Sequence, residues 1–223
     1  MDQLDLATVI MDFAAVCILT GVLIHTSIYR KRGHREDKLF FYMEILTMVM
    51  AISDAVTYVL DESSVPGAAI ISMGCNTVFH VCFELIFGLY LLFFMCGTEK
   101  GKVDFDKRWV YYMALSFAGV LMVLINIFTG FLYIVDPADN AYKGATAYNM
   151  VYIAPAIYLL FSMMIIAKED VRLLIIMLVL TVARALLTIM CRGVSAGALV
   201  TSMLLVFTQI YVMNKPFYEE ADE

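Results

Sequence analysis

Ala68 to Met95 reads AAIISMGCNTVFHVCFELIFGLYLLFFM, and His80 and Glu84 are the only residues in it that ionise near neutral pH besides its cysteines. A hydrocarbon layer of roughly 30 Å needs about 20 apolar residues per crossing helix, so a stretch this long and this apolar predicts a transmembrane helix. Lipid offers no partner to a free N–H or C=O, so a crossing segment must be a helix or part of a closed barrel. Barrel strands would show alternating segments of about ten residues, and none is present.

Working outward, six more runs of the same kind appear. Together the seven expected spans are 6–29, 39–60, 68–95, 109–135, 149–167, 171–190 and 196–213. The fold class expected is therefore all-α: a polytopic bundle of seven transmembrane helices in one domain, followed by a short acidic cytoplasmic tail at 214–223. The whole composition agrees, with 62% hydrophobic residues, 16% charged residues and a mean hydropathy of +0.84. The first run has no basic segment before it and no small-residue cleavage site after it, so it reads as a retained span rather than a signal peptide.

Orientation follows the basic residues of the short loops. Twelve Lys/Arg fall on one side: five in Arg30 to Lys38, four in Cys96 to Arg108, then Lys168, Arg172 and Lys215. Only Lys143 and Arg192 fall on the other. The expectation is an extracellular N-terminus and a cytoplasmic C-terminus in a cell membrane. Five cysteines are scattered rather than patterned, although Cys75 and Cys191 fall towards the same outer face and a bridge between them is geometrically conceivable.

The outer loop Asp136–Tyr148 (DPADNAYKGATAY) opens on a turn signal and is ringed by Tyr133, Tyr142, Tyr148 and Tyr152. The plainer reading of these tyrosines is an interfacial aromatic belt. The sharper one is a lid over a pocket. Pro155 is expected to interrupt helix five, and Ser116, Ala118 and Gly119 suit a close helix contact. Sixteen methionines offer adaptable packing.

An ionisable side chain in hydrocarbon costs about 2.5–3.5 kcal/mol on insertion scales, so each needs a partner or a wet cavity. His25 and Glu44 reach similar inner depth and read as a pair snorkelling to the headgroups. Asp12 lies near the outer end of helix one and reads as wet. The richer layer holds Asp54, Asn76, His80, Glu84, Asn126 and Arg184. Asn76, His80 and Glu84 follow i, i+4, i+8 spacing and predict one polar stripe facing the bundle interior. Arg184 is the lone cation at depth, and Asp54 or Glu84 is its expected counter-ion. With Tyr152 from the loop side, these seven residues are the expected ligand site.

Other chemistries find little support. Two intramembrane histidines at different depths do not make a zinc site, and no metal or other cofactor is expected. The last span has no lysine for a retinal Schiff base. No nucleophile constellation points to an enzyme, and nothing points to nucleic acid.

Three places carry a family resemblance: Ile52-Ser53-Asp54, the run Asn126–Gly144 (NIFTGFLYIVDPADNAYKG), and Gln209 near the end of the last span. With seven spans and an outer N-terminus, the chain resembles the seven-helix sensory modules that precede diguanylate cyclases and histidine kinases of bacteria, particularly Firmicutes. That resemblance implies a receptor for a small ligand, passing a conformational signal to a cytoplasmic partner or effector domain. Such modules continue into a signalling domain, whereas this sequence ends at Glu223; a homodimer is compatible with the same plan. The rival expectation is a small-solute or proton-coupled transporter using the same acids.

Overall fold

The computed structural model describes residues 3–29, 35–98, 105–138, 140–190 and 195–213. Six of the twelve basic residues expected on the cytoplasmic side (Arg30, Lys31, Arg32, Lys100, Lys102 and Lys215), together with Cys191, Arg192 and the acidic tail, lie outside them. Among the described residues there are seven α-helices: α1 (Gln3–Tyr29), α2 (Arg35–Leu60), α3 (Ala68–Thr98), α4 (Phe105–Thr129), α5 (Ile153–Glu169), α6 (Val171–Met190) and α7 (Gly197–Met213). The chain is all-α apart from a two-stranded hairpin, β1 (Tyr133–Val135) and β2 (Tyr142–Gly144), between α4 and α5.

The helices α1 to α5 are each long and apolar enough to cross a membrane, α5 together with the 3-10 turn Tyr148–Tyr152 that leads into it. Their outward faces are apolar as well. Phe128 is 89% exposed and Ile70 79%, with Phe13, Tyr111, Leu121 and Leu160 exposed in the same way. A water-soluble surface rarely spreads large apolar side chains so widely, whereas a lipid-facing one requires them. These features define a helical membrane protein.

The central helix is α3, the most buried of the five, packed on α2, α4 and α5. From there α7 fills the gap between α1, α2 and α6, and α5 meets α6. The buried seam of α1 shows how the sequence achieves this. Thr8, Asp12, Ala15, Leu19, Val22 and Thr26 recur at spacings of four and three and are all buried, the periodicity of one helix face. Small residues let α3 and α4 approach closely. A methyl group added at Gly88 would stand 2.4 Å from Ser116 Oγ, and one at Gly119 would stand 2.4 Å from the Glu84 carboxyl carbon. Ser116 and Gly119 thus make the expected close contact, while Ala118 faces outward.

Several helix ends differ from expectation by one to six residues, and two of the differences, at the end of helix four and the start of helix five, have a local cause. Helix four was expected to run to Val135, but it stops at Thr129. Gly130 takes φ +63° and its N–H bonds Asn126 C=O at 2.8 Å, which closes the helix with a left-handed residue. The apolar run beyond it, rich in aromatic and β-branched residues, becomes β1. Helix five begins at Ile153 rather than Asn149, so Pro155 sits in its first turn, where proline is tolerated, and interrupts nothing.

Candidate functional site

The ends of α2, α3, α6 and α7 that lie beneath the hairpin enclose a cavity of about 410 Å³. That is within the roughly 300–1,000 Å³ of small-molecule sites. Its walls include Asp54 and Tyr58 from α2, Asn76, Phe79 and His80 from α3, Arg184 from α6 and Gly197 from α7. Tyr142, Tyr148 and Tyr152 close it from the hairpin side.

The hairpin is tied down at several points, which is why its tyrosines face inward. Tyr133 is fully buried and shares a hydrogen bond with Thr77 of α3 at 3.1 Å. Asn126 fixes the turn: its Oδ1 accepts the N–H groups of Leu132 (2.7 Å) and Tyr133 (3.3 Å), and its Nδ2 donates to Tyr133 C=O at 2.9 Å. On the other strand, the N–H of Tyr142 donates to Asp61 Oδ1 at 3.1 Å, and Asn140 Nδ2 donates to Ser63 C=O. The rings then run as a chain. Tyr133 stacks on Tyr142 at 5.6 Å, and Tyr148 stands edge-on to Tyr142 at 6.1 Å and to Tyr152 at 5.7 Å. The Tyr148 and Tyr152 hydroxyls are 3.0 Å apart. The loop tyrosines are therefore a roof over the cavity, not an outward-facing belt.

At the rim, Asp136 accepts the Lys143 ammonium at 2.8 Å and the Ala138 N–H at 3.0 Å. The bond from Lys143 holds its carboxyl below the ordinary aspartate range, and the bond from the Ala138 N–H lowers it further.

Asp54 accepts the Ser195 hydroxyl at 2.6 Å, and the Ser195 N–H in turn donates to Thr8 Oγ1 at 3.2 Å. One residue just before α7 thereby joins α1 to α2. Arg184 lies over the face of Phe83, 4.7 Å from its centroid, and is within electrostatic reach of Asp54. A side chain at position 197 would stand 3.3 Å from the guanidinium, so glycine there leaves room for it. His80 packs edge-on to Phe79 and Tyr148 and tilts against Tyr133, with Nδ1 buried and without a partner.

Of the seven residues expected in one site, the cavity gathers five: Asp54, Asn76, His80, Tyr152 and Arg184. Two are elsewhere. Glu84 is fully buried between α3 and α4, its carboxyl against Gly119 and both oxygens unpartnered. Asn126 is spent on the hairpin backbone. Tyr58, Tyr142, Tyr148 and Ser195 belong to the site without having been assigned to it. Asp12 is also misplaced by its position near a helix end. It is only 1% exposed, has no partner for either oxygen and lies near Asp54.

A second polar cluster sits at the opposite end of the bundle. Glu44 is fully buried rather than snorkelling, and its Oε1 accepts the Thr26 hydroxyl at 3.0 Å. Gln209 Nε2 reaches Thr26 Oγ1 at 3.1 Å and His25 Nδ1 at 3.0 Å. So α7 is fastened to α1 and α2 at both ends. Between the clusters lie Ala15, Leu19, Met50, Ala51 and Leu205, fully buried and apolar, together with the buried hydroxyl side chains of Thr47, Thr201 and Ser202.

Cys17, Cys75 and Cys82 carry free thiols. Among the described residues no group of three or more His, Cys, Asp or Glu is arranged to hold a metal. Comparison of the chain with protein-family models, curated proteins and solved structures finds no match.

Proposed function

We propose that this protein is a seven-span membrane receptor, with its N-terminus outside and its C-terminus in the cytoplasm, that binds a small ligand beneath the hairpin. The observation that carries the reading is the convergence of Asp54, His80 and Arg184, from three helices, on one roofed cavity. Intramembrane ionisable groups held around a cavity point to function more than to stability. Ligand contacts at Asp54 and Arg184 bias α7 through Ser195, and Gln209 at the far end of α7 delivers the change to the cytoplasmic side. A ligand shifts such an equilibrium only through unequal affinity for the two packings.

The transporter alternative requires a polar path through the bundle. Between the two clusters the buried faces of α1, α2 and α7 carry Ala15, Leu19, Met50, Ala51 and Leu205 with the hydroxyls of Thr47, Thr201 and Ser202 but no carboxylate or histidine, which favours the receptor.

The test uses the full chain in lipid nanodiscs and in liposomes. A panel of charged and neutral small solutes is screened for thermal stabilisation, first on the native protein and then on Asp54→Ala and Arg184→Ala. The receptor reading expects a stabilising solute that changes hydrogen exchange over residues 204–213, loses its effect in both variants and is not accumulated by liposomes. Accumulation of that solute, or binding unchanged in both variants, contradicts it.

A further inference from the structure

Away from the hairpin, towards the opposite end of the bundle, α4 and α5 leave a groove of about 660 Å³ between them, with Leu91 of α3 as its floor. One face of α5 lines it. Ile157, Phe161, Met164 and Lys168 follow one another at spacings of three and four, the period of a single helical stripe. Leu115 and Tyr111 supply the α4 side. The deep end is Tyr158, 4% exposed, whose hydroxyl is spent on the α4 backbone and leaves the groove its ring alone.

From Ile157 to Lys168 the stripe covers about 16 Å at about 1.5 Å per residue, close to half of a hydrocarbon layer of roughly 30 Å. The groove is thus as deep as one leaflet. Its α5 wall stays apolar through Phe161 and Met164, both exposed, and only then comes charge, the ammonium of Lys168. Among the described residues Lys168 has no ion-pair partner, whereas Glu169 beside it is already engaged within the protein. Left empty, such a groove forfeits dispersion contacts along its length, and water finds too few hydrogen-bond partners on its apolar walls. A helix with its side chains is about 10 Å across, so about 16 Å of one would need roughly twice the groove's volume. An acyl chain suits both the length and the chemistry.

We infer that this groove is a phospholipid site: one acyl chain of a lipid in that leaflet lies along Ile157, Phe161 and Met164, and the lipid phosphate meets the Lys168 ammonium. Lysine holds phosphate as a point charge, and basic pockets between membrane helices hold lipid headgroups in the same way. The bound chain supplies the packing that α4 and α5 do not give each other along this stretch. The site is independent of what the hairpin cavity binds.

The test is native mass spectrometry of the full chain, counting the lipid that stays bound when phosphatidylglycerol competes with a diacylglycerol of the same chains and no phosphate. One phosphatidylglycerol per chain is expected to be retained, with a preference over diacylglycerol of about tenfold. Lys168→Gln, a change at an exposed side chain, should abolish that preference, and Lys168→Arg should keep it. Leu115→Trp fills the groove and should expel the lipid altogether. Equal retention of the two lipids by the native chain, no lipid retained, or retention unchanged in both Lys168→Gln and Leu115→Trp overturns the assignment; the groove then meets annular lipid only.

Discussion

Ser195 donates its hydroxyl to Asp54 across 2.6 Å while its backbone N–H bonds Thr8, so a single residue before α7 ties the first two helices to the seventh. Replacing it with alanine removes the hydroxyl from a buried carboxyl. The expected loss is about 1–3 kcal/mol, read as a lower unfolding temperature in lipid. Ser195→Thr, which keeps the donor, should lose much less.

The contact of Glu84 with Gly119 gives a suppressor test. Gly119→Ala places a methyl where the Glu84 carboxyl sits, and overpacking of this kind costs about 1–3 kcal/mol. Glu84→Ala in the same chain removes the clash, so the double variant should be more stable than Gly119→Ala alone. Additive losses in thermal unfolding would contradict the packing described.

Tyr158 of α5 places its hydroxyl between two backbone groups of α4, donating to Tyr112 C=O at 2.7 Å and accepting the Ser116 N–H at 3.0 Å. Those two groups are spaced as the partners of an ordinary i to i−4 helix bond, so the hydroxyl is inserted into the ladder. Tyr158→Phe should let α4 restore its own bond. Hydrogen exchange at the Ser116 amide reads the change, with protection maintained or increased and little change in overall stability.

The hairpin responds to acid through Asp136. Its carboxyl titrates below the ordinary aspartate range because Lys143 and the Ala138 N–H bond its charged form. The pair therefore contributes fully above the ordinary aspartate pKa and is lost as pH falls through the depressed value. Proteolysis or hydrogen exchange over residues 136–145 should show the hairpin loosening on acidification. Asp136→Asn should remove that step, and the effect should be modest because the pair is exposed.

Much of this architecture is legible in the sequence. Val171–Met190 is found where hydropathy places it, and Ala68 begins the third helix as expected. Asp54, Asn76, His80 and Arg184 meet because ionisable and amide groups flanked by apolar residues have few stable places but a shared interior. Glu84 was misread for a geometric reason. Steps of four residues each overshoot a full turn by about 40°, so over two steps the stripe rotates by about 80° and descends about 12 Å. That turns Glu84 from the cavity towards α4. Asn126 could not be separated from the site by type or depth, since an amide near a helix end serves a loop as readily as a ligand. The Gly130 stop was present as a helix C-terminal signal, overridden by the hydropathy of the strand that follows. Asp12 is dry because it lies on the buried seam of α1, a fact of tertiary packing that its place near a helix end does not carry.

The most direct test of the central claim, that Asp54 and Arg184 face one another across a single buried cavity, is a charge-exchange cycle. Thermal stability in nanodiscs is measured for Asp54→Arg, Arg184→Asp and the double exchange. The predicted result is a double variant more stable than either single one, with a coupling of about 0.5–3 kcal/mol. A double variant whose loss equals the sum of the two single losses would show that the acid of α2 and the guanidinium of α6 do not share a site.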